Sequence, residues 1–313
     1  MRVILGCDVG GTNVKCGVFT EDGQLLAKGS SRTPALVNAE AYGVVLGVFD
    51  GLLEQAGATR ADVVGIGLDT PGAILKDGTH ALTHNLNIDL AGLRGAIHDA
   101  FPGAATAVLN DGNAAAVGEL WQGAARGKET FVLYVLGTGV GSGVVVDGQL
   151  VVGANGAGGE SGHMTVNPFE TRTCGCGRPG CVELYSSATG IVRTYRETCA
   201  ARGLTPVDTS DGAVAVFNAM KAGDPVARHA VEVMCDMLAL LLSNTACVLD
   251  PELFVMGGGV SQGWDDFGEL LCERYRAHAL EAMRDTPIVH AELGNDAGIY
   301  GAAFEALRAG SGA

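Results

Sequence analysis

The chain has 313 residues, 47% of them hydrophobic, which is enough for a buried core spread over about two domains and excludes a disordered chain. Its 20 basic and 35 acidic side chains give a formal net charge of −15, a field that repels polyanions and sets nucleic acid and anionic membrane aside as partners. A phosphorylated ligand must then be held by local backbone N–H groups or by a metal.

The first residues, Met1-Arg-Val-Ile-Leu-Gly-Cys-Asp8, place a cysteine where a lipoprotein is cleaved, but they lack a charged lead and a long apolar run. They read as a first strand. It runs into Asp8-Val-Gly-Gly-Thr-Asn-Val-Lys-Cys-Gly17, a Gly/Thr turn between two strands, followed by an Asp-Gly-Gln-Leu hairpin at 22–25 and a third strand. Helix 38–56, strand 62–68, helix 89–100, strand 106–109 and helix 111–122 complete the first half. The same unit then returns: Leu136-Gly-Thr-Gly-Val-Gly-Ser-Gly143 is a Gly/Thr turn between strands, and Asp-Gly-Gln-Leu recurs at 147–150. Helices 186–200, 212–221 and 225–249, strand 253–257, helix 265–282, strand 287–291 and helix 297–309 complete the second half, with a polar surface loop at 203–212. Two βββαβα-type halves predict an α/β protein with a cleft between them.

The apolar helix 225–249 contains Glu232, Asp236, Ser243 and Asn244, which makes it a core helix and not a membrane span. The chain is expected to be soluble and cytoplasmic. In that reducing compartment its nine cysteines are not expected to form structural disulfides, and six lie scattered in apolar segments as small hydrophobes.

Either Gly/Thr turn alone reads as a tight hairpin. Together, with Thr12 and Thr138 beside glycines, they favour two concave N–H sites that grip a polyphosphate from both sides. Gly137-Thr-Gly-Val-Gly-Ser-Gly leads into a hairpin rather than a helix and does not fit a dinucleotide fingerprint. Gly123-Ala-Ala-Arg-Gly-Lys-Glu-Thr has one residue too few for a P-loop and Glu129 where Ser or Thr should hold magnesium.

Asn110-Asp111 joins a strand to a helix. Ordinary N-capping accounts for that pair, but phosphoryl transfer also needs a carboxylate to take the acceptor's proton, and Asp111 is the candidate base. Asp8, which precedes the first turn, suits a magnesium ligand or an acid that satisfies turn amides. Asn85, Glu160, His163 and Glu183 lie on loops suited to the hydroxyls of a sugar. Cys174-x-Cys176-x4-Cys181 with His163 upstream supplies three thiolates and an imidazole, the donor set of a closed, structural zinc site.

Taken in order, Asp8-Val-Gly-Gly-Thr, Asn110-Asp-Gly-Asn, Leu136-Gly-Thr-Gly, Gly158-Gly-Glu-Ser-Gly-His163, Cys174-Gly-Cys-Gly-Arg-Pro-Gly-Cys181-Val-Glu183 and Val255-Met-Gly-Gly-Gly resemble the ROK family of sugar kinases and repressors over nearly the whole chain. The resemblance implies a duplicated actin-like, hexokinase/ribonuclease H-like two-domain fold. The small domain would span 1–109, completed by the C-terminal helix 298–313, and the large domain 110–297 would carry the zinc knuckle.

By position, Asp111 matches the family's catalytic base, and Asn85, Asn110, Asp111, Glu160, His163 and Glu183 match its sugar site. Asp8, Gly10, Gly11, Thr12, Lys15, Gly137, Thr138, Gly139 and Gly257 to Gly259 match the ATP and Mg2+ side. His163, Cys174, Cys176 and Cys181 match the zinc ligands, and a homodimer is the family expectation.

Glucokinase is the leading activity implied. Kinases for fructose, allose or N-acetylmannosamine follow, and polyphosphate stands beside ATP as a donor. The loop His84-Asn85-Leu-Asn-Ile88 and the Asp111-Gly112 step depart from the usual glucose-specific pattern, which reads Pro-Asn-Leu-Gly-Trp and Asp-Ala. A sugar-sensing repressor is the alternative of another class, but such proteins carry a DNA-binding segment ahead of the first turn, where this sequence has seven residues before Asp8.

Overall fold

Alternating burial along the first strand requires a layer on each side of it. In β1 (Val3–Val9) the side chains of Val3, Leu5, Cys7 and Val9 join one core while Ile4 joins another. A computed structural model describes residues 1–82 and 87–311 and supplies both layers. β1 pairs antiparallel with β2 (Asn13–Thr20), which pairs antiparallel with β3 (Leu25–Arg32). After α1 (Ala39–Gln55), β4 (Val63–Thr70) joins β1 in parallel. A small hairpin of β5 (Ala73–Ile74) and β6 (His80–Leu82) and then α2 (Leu90–Ala100) lead to β7 (Ala105–Asn110), parallel to β4. The order is β3-β2-β1-β4-β7, with α1 and α2 covering one face through Tyr42, Val45, Phe49, Leu93 and Ile97.

After α3 (Asp111–Gln122) the pattern repeats. β8 (Phe131–Leu136), β9 (Val140–Val146) and β10 (Gln149–Leu150) form the antiparallel part of the second sheet. Four helices intervene: α4 (Glu183–Ser186), α5 (Ala188–Ala201), α6 (Ala213–Lys221) and α7 (Pro225–Leu249). β11 (Leu253–Gly257), α8 (Trp264–His278) and β12 (Ile288–His290) follow, the two strands adding in parallel to give β10-β9-β8-β11-β12. This is the first sheet's order with each strand replaced by its counterpart, so the repeat in the sequence is a repeat of a whole sheet.

The inner faces of the two sheets carry one helix each. α9 (Ala297–Ser311) packs on the first sheet through Ile299, Ala303 and Ala306, and α3 packs on the second through Ala116. The two helices also touch one another. A Cβ at Gly301 would overlap the Ala114 carbonyl, and one at Gly67 would overlap the Ala302 carbonyl, so glycine at these positions permits both close approaches. α7 is long and apolar enough to cross a membrane, yet Met234, Cys235, Leu238, Leu241 and Leu242 are fully buried against the second sheet and its helices. Asp224 caps it, accepting from the Val226 and Ala227 amides at 2.8 and 3.3 Å.

The structure corrects four details of the sequence reading. The two Asp-Gly turns differ: Asp147 and Gly148 both have positive φ in a two-residue turn, whereas only Gly23 does in the first, where Thr20 and Gln24 pair across a longer loop. Residues 183–201 form two helices because the Ser187 hydroxyl accepts from the Gly190 amide at 3.0 Å and starts α5 anew. Helix α8 ends at His278, and the Tyr275 hydroxyl donates to the Met283 carbonyl at 2.8 Å, holding a separate turn at 281–283. The β5–β6 hairpin, which turns at Asp77-Gly78, was not expected.

Glu119 ties α3 to the segment before α9. It is fully buried, and its carboxylate accepts from the backbone amides of Ala124 (2.7 Å), Glu292 (3.1 Å) and Leu293 (2.8 Å). Replacing it with Ala strands these donors, and the expected loss is about 3 kcal/mol of folding free energy. Urea denaturation measures it, and a loss below about 1 kcal/mol would remove this role from Glu119.

Candidate active site

Three parallel strands of the first sheet end side by side, which is where open α/β sheets bind ligands. β1 ends near Asp8, β4 at Asp69-Thr70, and β7 at Asn110, with Asp8 opposite Asp69 and Thr70 opposite Asn110 in register. Asn110 is the N-cap of α3: its Oδ1 accepts from the Gly112 and Asn113 amides at 2.9 and 3.2 Å, and its Nδ2 donates to the Gly72 carbonyl at 3.1 Å. That arrangement fixes Asp111 at the first helical position, where its Oδ1 accepts from the Gly112 amide at 2.8 Å.

The Asp111 side chain opens onto the cleft, but protein surrounds it on its other sides. The resulting dehydration raises its pKa against the lowering pull of the Gly112 amide and the Asn110 side chain. Gly112 sits close to the second sheet, since a side chain there would begin 3.1 Å from the Ser142 carbonyl.

The second half supplies the facing wall. One cavity of ≈ 410 Å³ gathers Asn110, Asp111, Glu160, His163 and Glu183 with the turn Gly137, Thr138 and Gly139. Ser142 pins the Glu160 turn by donating to the Gly159 carbonyl and accepting from the Ser161 amide. Glu183 begins α4, and its Oε2 accepts from the Val140 amide at 3.1 Å. A Cβ at Gly139 would overlap the same Glu183 oxygen, so the glycine lets the turn and the carboxylate meet.

Behind His163 lies the cysteine cluster. One ligand atom from each of His163, Cys174, Cys176 and Cys181 falls within 4.8 Å of the others. His163 Nδ1 faces Cys174 Sγ at 3.6 Å, leaving Nε2 as its second ring nitrogen, and Cys176 and Cys181 Sγ atoms are 3.6 Å apart. Three thiols and one imidazole so placed fit a tetrahedral zinc ion with no position left for water. Cys174 Sγ also lies 3.2 Å from Glu183 Oε1, which connects the cluster to the cavity wall.

On the opposite wall, Gly11 and Thr12 form the exposed tip of the β1–β2 turn, and Gly10 donates its amide to the Asn13 carbonyl at 3.1 Å. The Asp8 carboxylate lies beneath this turn, 3.6 Å from Lys15 Nζ. Asp8 is therefore paired with Lys15 rather than spent on turn amides. Burial raises its pKa, Lys15 lowers it, and the charge of Asp111 raises it again. A second cavity of ≈ 520 Å³ continues from Gly137 and Thr138 along Gly212, Phe217 and Lys221 to Gly259. Of the three glycines 257–259, Gly259 lines this cavity. Gly257 closes β11, and Gly258 (φ 87°) packs on the Leu136 backbone. Asn85 lies outside the described residues.

Sequence reasoning missed Asp69 and the α6 wall of the second cavity. Asp69 ends an apolar strand as Asp8 does, a signal that was present. Phe217 and Lys221 carry none, because only the fold brings α6 beside the turn at 137–139.

Two like sheets, each built in the order antiparallel, antiparallel, parallel, parallel, with carboxylates at the strand ends and a cleft between them, define an actin-like ATPase fold. The chain belongs to the ROK family, whose pattern matches residues 4–309. It is similar to a glucokinase of Halalkalibacterium halodurans, 35% identical over 319 residues that cover 96% of this chain and 93% of that one. It is also similar to an N-acetyl-D-glucosamine kinase of Yersinia pseudotuberculosis, 31% identical over 96% of this chain and 97% of that one. Among solved structures, a ROK hexokinase from Thermus thermophilus superposes with a TM-score of 0.82 at 31% identity, covering 97% of each chain. A ROK family glucokinase from Streptomyces griseus, in complex with glucose and AMPPNP, gives 0.76 at 29% identity over 96% of this chain and 98% of that one.

Proposed function

We propose that the protein is an ATP-dependent hexose kinase that phosphorylates the C6 hydroxyl of glucose, with Asp111 as general base. The observation that carries this reading is the convergence of Asn110, Asp111, Glu160, His163 and Glu183 on one cavity whose edge is the Gly137–Gly139 turn. Phosphoryl transfer needs an aligned acceptor, charge neutralisation and a proton acceptor. In this reading Asn110, Glu160, His163 and Glu183 hold the sugar hydroxyls, and Asp111 takes the proton of the attacking one. Its raised pKa makes it a stronger base than an ordinary aspartate.

The β1–β2 turn and the turn at 137–139 hold the phosphates through backbone amides, and the cavity beside Phe217 takes the nucleoside. Asp8 would hold Mg2+, which supplies charge neutralisation on the phosphates. His163, Cys174, Cys176 and Cys181 would hold zinc. The metal there would fix the ring of His163 through Nδ1 and leave Nε2 for a sugar hydroxyl.

Glucose is favoured by the 35% identical glucokinase and by the sugar in the S. griseus complex, and N-acetylglucosamine is the competing acceptor suggested by the Yersinia relative. A panel of glucose, mannose, fructose, allose and the N-acetylhexosamines tests it through kcat/KM. Glucose is expected to lead, and a higher value for N-acetylglucosamine would reassign the acceptor.

A pH prediction follows from the base. Asp111 works only when ionised and its pKa is raised, so kcat/KM should fall as pH drops through a value above the ordinary aspartate pKa of about 3.9. A pH–rate profile reads it. An acid limb at or below about 3.9 would contradict the assignment.

A further inference from the structure

Asp69 is the most costly side chain on the cleft side of the first sheet, and the kinase reading gives it no task. It is 1% exposed, and neither of its carboxylate oxygens has a hydrogen-bond partner among the described residues. The first turn of α9 closes over it: a side chain at Gly298 would begin 3.1 Å from its Oδ2. In the parallel register of β1 and β4 it stands opposite Asp8, so the two side chains lie next to each other on one face of the sheet. The charge of Asp111 acts on both. Asp8 has a counter-charge in Lys15 at 3.6 Å, and Asp69 has no ion pair of its own among the described residues.

A buried carboxylate without donors is strongly unfavourable, so another group must complete it. A proton shared with Asp8 would satisfy one oxygen and neutralise a carboxylate beneath the phosphate turn. A divalent cation would satisfy both carboxylates together, because hard cations take carboxylate oxygens as ligands. It would also add positive charge to a cleft in a chain of net charge −15. Asp8 is partly exposed and provides the way in. Lys15 also donates to the Asn295 carbonyl, so it keeps a partner when a cation takes Asp8.

We propose that Asp69 and Asp8 together form a two-carboxylate site for a hard divalent cation, Mg2+ or Mn2+, which this chain binds before nucleotide arrives. The use of that cation in catalysis rests on the kinase reading, while its binding does not. The test is a Mn2+ titration followed by the EPR signal of free Mn2+, on protein with neither ATP nor sugar. Wild type, Asp69→Asn, Asp69→Ala and Asp99→Asn are compared, the last changing an acid that is 89% exposed.

The wild type and Asp99→Asn should bind alike, and both Asp69 variants should bind about tenfold more weakly or worse. Both variants should fold, since each removes an unpartnered charge. Mn2+ should raise the wild-type Tm by more than theirs at the same concentration. Equal Mn2+ affinity in the wild type and the Asp69 variants would overturn the site, as would a wild type that binds no Mn2+. Equal affinity together with a lower metal-free Tm in Asp69→Asn would point to the shared proton instead. Absence of ADP release by the wild type with every sugar would count against the kinase reading, and the titration would still decide the metal site.

Discussion

Asp111→Asn should lower kcat by about 10³-fold, within the 10²–10⁴ that a positioned general base contributes. The change is nearly isosteric. The Asn carbonyl can still accept from the Gly112 amide, and the cap of α3 is made by Asn110, so the helix start is preserved. What is lost is the ability to take a proton. The sugar Kd, measured by calorimetry, should stay within a few-fold of wild type, and the zinc content should not change. That pattern separates lost chemistry from lost binding. A variant that keeps more than about a tenth of the wild-type kcat would remove Asp111 from the role of base.

Loss of the cysteine cluster should act on sugar affinity instead. Cys176 is exposed at the edge of the cluster, while Cys174 and Cys181 are buried, so Cys176→Ser disturbs the core least. It should release zinc and raise the sugar KM by about 10–100-fold, the usual cost of losing a metal's orienting partner, with a smaller effect on kcat. The reason is geometric. His163 presents one ring nitrogen to the cluster, and Glu183 lies beside Cys174, so one wall residue of the cavity would be a metal ligand and another packs against one. Zinc analysis and steady-state kinetics on the same preparation measure it. Zinc lost with a wild-type sugar KM would break the link.

Much of this arrangement was readable from the residues because the signals are local. Asp-Gly pairs announce hairpins, the run of apolar residues from 225 to 249 announces one long helix, and His163 with three spaced cysteines announces a donor set. The duplicated sheet could be anticipated because the chain repeats a strand–turn–strand–hairpin pattern and both copies fold in the same order. What escaped depends on contacts distant in sequence. The burial of Asp69 comes from α9, more than two hundred positions away, and the wall at Phe217 from the way α6 lies along the turn at 137–139. The break at Ser187 was local, but a capping serine inside an otherwise helical run is easily taken for a helical residue.

Identification of the product tests the central claim most directly. The protein is incubated with ATP, Mg2+ and glucose, and the phosphorylated sugar is assigned by 31P NMR, with 6-deoxyglucose as the control acceptor. The account predicts glucose 6-phosphate in step with ADP, and no phosphorylation of 6-deoxyglucose. A phosphate placed on another hydroxyl, or ATP hydrolysis with no sugar phosphate at all, would contradict it.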